Sequence, residues 1–153
     1  EVVFGMEEEV YEFCSRSLIN PAFVHHITPQ LVLWKQQSRA LIPRQMYVVI
    51  HRKMMDVVCF AQGKLLFVNT FGYDKPDDIL YYILYVWKQV GMDQEKDQLH
   101  IYGGVSLRNS MTTTLRNYIQ YISPAEIPSD AYLLGAEVVQ APLDLIALSV
   151  CEL

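Results

Sequence analysis

Cysteine is scarce in this sequence. Cys14, Cys59 and Cys151 are its three, an odd number with no C-x-x-C spacing. That excludes a disulfide framework and a thiolate zinc site, and three small buried thiols in a reducing compartment are expected instead. Glycine and proline number only 7 each, too few for a fibrous or low-complexity chain. Charge is sparse as well, at 19% of residues, and basic charge is the scarcer sign: 12 Lys and Arg stand against 17 Asp and Glu. A net charge of −5 opposes sequence-independent binding to nucleic acid or anionic lipid, so neither is an expected partner. The longest apolar run, Leu143 to Val150, is broken by Asp144 and Ser149 and cannot cross a bilayer. No P-loop, G-x-S-x-G or H-E-x-x-H motif occurs.

What is present is a large apolar fraction. At 52% hydrophobic, the 153 residues must fold around a sizeable core. The chain opens on Glu1 and runs directly into Val2-Val3-Phe4, with no basic and apolar leader. This reads as a cut within a longer protein, and a cytoplasmic location is the expectation.

Charge divides the chain unevenly. Residues 1–53 hold five acids and six bases, and residues 54–153 hold twelve acids and six bases. Ser38 to Gln45, with Pro43, reads as the connection. The stretch before it predicts strand, helix, strand, helix: Val2–Phe4, Glu7–Leu18, Ala22–Thr28, and a helix with Pro29 in its first turn and Leu31, Val32, Trp34 and Lys35 along it. The two strands would expose unpaired edges, so a protein partner or self-association is expected to cover them.

The longer stretch reads more sharply. Met46–Ile50, Met55–Phe60 and Lys64–Phe71 are β-branched and aromatic runs, and Gln62-Gly63 joins the last two as a tight hairpin. Asp74 then suits a helix N-cap, and Ile79, Ile83, Val86 and Val90 with Leu80 and Trp87 form an apolar stripe that Gly91 closes. A strand at Leu99–Tyr102 ends in Gly103-Gly104. The spacing of Leu107, Met111, Leu115, Tyr118 and Ile122 predicts a helix. A short strand near Ala125–Ile127 and helical material from Ser129 complete the order β-β-β-α-β-α-β-α. That order is the ribonuclease H-like layout. The β-α-β-α of the N-terminal stretch matches the back half of a second copy, and two such copies in tandem make the actin-like ATPase fold.

Three segments carry a resemblance. They are Asn20-Pro-Ala-Phe-Val-His-His-Ile-Thr-Pro29, Asn69 through Val90 (Asn-Thr-Phe-Gly-Tyr-Asp-Lys-Pro-Asp-Asp-Ile-Leu-Tyr-Tyr-Ile-Leu-Tyr-Val-Trp-Lys-Gln-Val), and Cys151-Glu-Leu153. Together they resemble an uncharacterised bacterial family, a domain of unknown function, assigned an actin-like ATPase fold. The resemblance implies a mixed α/β protein with residues 1–42 as the truncated back half of a first ribonuclease H-like subdomain and 43–153 as a second. It also implies that an N-terminal segment is absent.

Leu99-His-Ile-Tyr-Gly-Gly-Val-Ser106 resembles the adenosine-binding turn of nucleotide-binding members of that superfamily. This marks Gly103, Gly104 and Ser106 as candidate cofactor-binding residues, where absent side chains and a helix N-terminus admit a nucleotide. The alternative is a plain strand-to-helix turn. The matching phosphate hairpin is wanting: Ile50-His-Arg-Lys-Met-Met-Asp56 has no glycine to let backbone N–H groups cradle phosphate. Arg52 and Lys53 remain as point charges or a solvated tip. Asp56 is read as holding a magnesium water or as an exposed strand residue.

His25-His26 lie in the expected strand, where neighbouring side chains point to opposite faces and cannot share an ion. His51 and His100 have no carboxylate at ligand spacing. Tyr81, Tyr82, Tyr85 and Trp87 ring one helix and are read as core or interdomain seam. The leading functional expectation is a non-catalytic scaffold or protein-interaction module with a degenerate nucleotide site and no catalytic residue, metal or required cofactor. The alternative is an ATP-binding protein that uses the interdomain cleft.

Overall fold

The computed structural model of the chain describes residues 2–38, 42–124 and 127–150. Five strands make one mixed sheet: β1 (Gln45–Ile50), β2 (Met54–Ala61), β3 (Lys64–Gly72), β4 (Gln98–Tyr102) and β5 (Tyr121–Pro124), in the spatial order β3-β2-β1-β4-β5. The first three form an antiparallel meander, and β4 and β5 join parallel to β1. The helices are α1 (Glu8–Ser17), α2 (Ile27–Gln37), α3 (Pro76–Val90), α4 (Val105–Leu115), α5 (Ser129–Leu133) and α6 (Leu143–Val150), with a 3-10 turn at Val138–Gln140.

The meander follows from local chemistry. Gln62 and Gly63 both take positive φ, 50° and 78°, the pair that gives a two-residue turn the twist of its flanking strands. Every residue of β1 is buried because the sheet is covered on both faces and β1 is its middle strand. Met46, Val48, Ile50, Met55, Val57 and Cys59 face α3 and α4. Tyr47, Val49, Val58, Phe60 and Tyr102 face the other way, onto α2 and α6. Burial pushes the Cys59 thiol up to about 12.

Helix α3 keeps its predicted stripe: Ile79, Ile83, Val86 and Trp87 are buried. Gly91 closes it at φ 70°, and the Arg44 guanidinium donates to the free carbonyls of Val90 and Gly91, which suits the negative end of the helix dipole. The start differs from expectation. The Asp78 carboxylate reaches back to accept from the backbone N–H groups of Asp74 and Lys75, at 3.0 Å and 2.9 Å. The N-cap is Lys75 rather than Asp74, and Asp74 donates its N–H to the capping carboxylate, since a carboxylate in the first turn can bond outward to the residues before it.

Four other expectations are corrected. Val2–Phe4 and Ala22–Thr28 are not strands: residues 2–7 and 21–25 are irregular, and α2 already begins at Ile27. Among the described residues no neighbouring strand offers them a ladder, and β propensity without a partner leaves backbone groups unpaired. The β-α-β-α pattern of residues 1–42 is therefore helix–helix among the described residues. The helix after Gly104 ends at Leu115, and Ile122 belongs to β5. Its helical spacing was coincidental, because pairing of Leu99 with Ile122 extends the parallel ladder. The strand expected near Ala125–Ile127 sits earlier, at 121–124; residues 125 and 126 lie outside the described residues, as do Cys151 to Leu153 and 39–41 of the connection.

Cys14 is half-buried rather than buried. Of the α3 aromatics, Trp87 is buried, but Tyr81 and Tyr85 are 61% and 51% exposed and stack on one another at 5.9 Å. No helix among the described residues is long and apolar enough to cross a membrane.

Candidate functional site

The parallel strands β1 and β4 end side by side, and the chain leaves them in different directions: β1 turns back into the meander, and β4 runs on into α4. Divergence of this kind opens a crevice at the carboxyl ends of strands. A cleft of about 1010 Å³ lies there. Its walls are the β1 end and following turn (Ile50, His51, Arg52), the β4 end and α4 (Tyr102 to Val105, Leu107, Arg108), Tyr73, and the Gln140–Leu143 segment with Ile146.

Gly103 and Gly104 both line this cleft, for different reasons. Gly103 has φ +142°, and a Cβ there would stand 3.0 Å from the Ile50 carbonyl oxygen. It is glycine so that β4 can turn against β1. Gly104 has φ −56°, and a Cβ on it would meet nothing within 4 Å. It is the N-cap of α4, and no side chain caps that helix, so the first N–H groups of α4 are free to meet an anion. Ser106 is exposed and is not part of the cleft wall.

Two cations stand on this wall, and only the first of them, Arg52, stood out in the sequence. Arg52 and Arg108 both line the cleft, and neither has an acidic partner among the described residues. The hairpin between β1 and β2 carries His51, Arg52 and Lys53 and is held from outside: the Tyr73 hydroxyl donates to the His51 carbonyl at 2.5 Å. No carboxylate lines the cleft among the described residues.

Behind the His51 wall lies a polar cluster. Asp56 is fully buried, not exposed, because β2 is an inner strand and Asp56 faces the side covered by α2. The registers Val49↔Asp56 and Asp56↔Thr70 set Val49 and Thr70 beside it on that face. Thr70 Oγ1 donates to Asp56 Oδ1 at 2.5 Å. On Asp56 Oδ2 two imidazoles converge, His51 Nε2 at 2.8 Å and His26 Nε2 at 3.2 Å.

Burial pushes Asp56 toward its neutral form, but the hydrogen bonds from His51 and Thr70 and the charges of both imidazoles outweigh it, holding the carboxyl below the usual range. The bond to Asp56 raises His51 above the ordinary imidazole value, against the opposing pull of burial. His51 and Asp56 flank the hairpin five residues apart, and pairing of Val49 with Asp56 and of His51 with Met54 makes them diagonal neighbours on one face. His26 arrives from the residue that opens α2. Neither meeting is visible in linear spacing. His100, in β4, lies apart from the cluster; its ring stacks on Tyr47 at 4.7 Å.

Residues 1–122 match the family described as Protein of unknown function (DUF3822). The chain belongs to that family. A crystal structure from Bacteroides thetaiotaomicron VPI-5482, described as a protein with actin-like ATPase fold and unknown function, is similar at 28% identity and a TM-score of 0.79. The similarity covers 97% of this chain and 53% of that one, so this DUF3822 chain spans about half the length of its structural relative. No curated protein matches. The meander followed by alternating helix and strand is the mixed α/β layout of the actin-like ATPase fold, and both expectations, family and fold, hold.

Proposed function

We propose that this chain is a non-catalytic binding module whose degenerate nucleotide cleft holds a phosphate-bearing ligand without turning it over. The observation that carries the reading is the pair of arginines without an acidic partner among the described residues, Arg52 and Arg108, on the wall of a cleft that also holds the Gly103-Gly104 turn. Arginine presents a fixed fork of donors that matches phosphate oxygens. The open space at Gly104 lets a ligand approach the backbone at the start of α4. Turnover needs a group to activate water or hold a metal beside the phosphate. Among the described residues the cleft wall offers no carboxylate for this, its one imidazole, His51, is tied to Asp56 behind the wall, and the hairpin of residues 50–56 has no glycine.

A role as a scaffold fits the same features, with ligand occupancy setting the shape of a protein-binding surface in the cytoplasm. The stacked, exposed Tyr81 and Tyr85 support a protein partner, because aromatic pairs on a helix surface are common anchors at interfaces.

The test is thermal unfolding of this chain with phosphate, ADP and Mg-ATP, alongside an assay for released phosphate. A ligand at ~100 times its Kd adds about 2.7 kcal/mol to the folded state, a rise of roughly 5–10 °C for a chain of this size. The expected result is a saturable rise with at least one of them, absent in Arg108→Gln and Gly104→Val, and no phosphate release. Absence of any saturable rise, or steady release of phosphate, overturns the reading.

A further inference from the structure

The cluster behind the cleft has a second capacity, independent of what the cleft binds. We propose that His26 Nε2, His51 Nε2 and Asp56 Oδ2 form a site for one divalent transition-metal ion of the zinc class, which clips the start of α2 to the β1–β2 hairpin.

Three observations support it. The three ligand atoms all lie within 4.8 Å of one another, and two of the edges, 2.8 Å and 3.2 Å, are close to the separation of neighbouring ligands around an ion bound at ~2.0–2.2 Å. The donor set is also coherent: two imidazoles and one carboxylate suit zinc and its first-row neighbours, whereas magnesium and calcium prefer oxygen. Finally, the support is built. Thr70 Oγ1 holds the other carboxylate oxygen, Oδ1, at 2.5 Å, the kind of outer hydrogen bond that fixes a ligating carboxylate. The His26 ring lies tilted at 38° to the His25 ring with centroids 4.4 Å apart, and edge-on to His51 at 6.1 Å.

The site also has a way in. The side chains of His26 and His51 are 36% and 26% exposed while Asp56 is fully buried. An ion can therefore arrive from solvent, lose part of its water to the three protein ligands, and keep water in the open position. On binding it replaces the two imidazole-to-carboxylate hydrogen bonds, and the imidazoles ligate as neutral rings. His26 and Asp56 do not line the cleft, so the ion sits behind its wall and its role is to fasten. Residues 2–26 have few other anchors: α1 buries no residue. The clip joins that stretch to the hairpin that carries Arg52.

The experiment is titration of this chain with cobalt(II) and zinc alone, read by the visible absorption of cobalt, by calorimetry and by thermal unfolding, with no phosphate ligand present. The expected result is one cobalt per chain with a four-coordinate spectrum, displaced by zinc, and a melting temperature that rises with zinc and not with magnesium. His26→Gln, at a part-exposed position that leaves the sheet intact, should weaken zinc binding at least tenfold, and Asp56→Asn should do the same if it folds. Cys14→Ser and Cys151→Ser should change nothing, which separates this site from adventitious thiol binding. No saturable cobalt spectrum, equal zinc affinity in His26→Gln and the parent, or loss of binding with the cysteines overturns the proposal.

Discussion

Gly103 and Gly104 are neighbours in sequence and should behave oppositely when given a side chain. Gly103→Ala forces an L-residue to φ +142° and drives its Cβ to 3.0 Å from the Ile50 carbonyl and 3.1 Å from the Ile50 Cβ. Both atoms belong to a strand buried on both faces, so neither can yield cheaply. Backbone strain of this kind costs of order 1–3 kcal/mol before the steric contact is added. Gly104→Ala meets open space at φ −56°. It gains a few tenths to ~1 kcal/mol from a less flexible unfolded chain and loses a similar amount because alanine is a poorer N-cap than glycine.

The net expectation is therefore a loss of about 2 kcal/mol or more for Gly103→Ala and a change within ~0.5 kcal/mol for Gly104→Ala. Urea unfolding followed by tryptophan fluorescence measures both. With a slope of ~2 kcal/mol/M, the first variant should move its midpoint down by roughly 1 M at unchanged slope, and the second should barely move. Equal midpoints for the two variants would refute the geometric argument, as would a Gly104→Ala variant less stable than Gly103→Ala. The pair also separates structure from ligand: only Gly104 substitutions should weaken phosphate binding while leaving the fold unchanged.

Two further outcomes follow from the core and from His100. Trp34 is fully buried in α2, stacked on Tyr47 at 5.0 Å and donating Nε1–H to the Tyr102 hydroxyl at 3.4 Å. Trp34→Ala should cost ~3–5 kcal/mol, while Phe13→Ala, at a side chain 67% exposed, should stay within ~0.5 kcal/mol by the same unfolding assay. Burial lowers His100 to about 4 from an ordinary 6.5. Its neutral form is favoured in the folded state, so the unfolded chain binds more protons between those values. The stability held above pH 6.5 should then fall progressively toward pH 4, by up to roughly 3 kcal/mol. His100→Gln should flatten that limb of a stability–pH curve, and an unchanged limb would refute the assignment.

Sequence alone determined the elements whose signals are local. Gln62-Gly63 dictates its hairpin because a two-residue turn needs positive φ. The stripe of Ile79, Ile83 and Val86 dictates α3, since one helical face must be buried. The family resemblance and the meander order identified the fold. Tertiary structure decided whatever depended on partners distant in the chain. Val2–Phe4 and Ala22–Thr28 have strand-like composition, but a strand exists only where another supplies hydrogen bonds, and the described chain supplies none there. Ile122 kept helical spacing from Leu115, yet pairing with β4 claimed it. Asp56, His51 and His26 looked unrelated in sequence. They meet because the register of β1 on β2 places Asp56 on the face that α2 covers. A carboxylate buried on that face must find donors, and the imidazoles of His51 and His26 are the groups the fold brings to it.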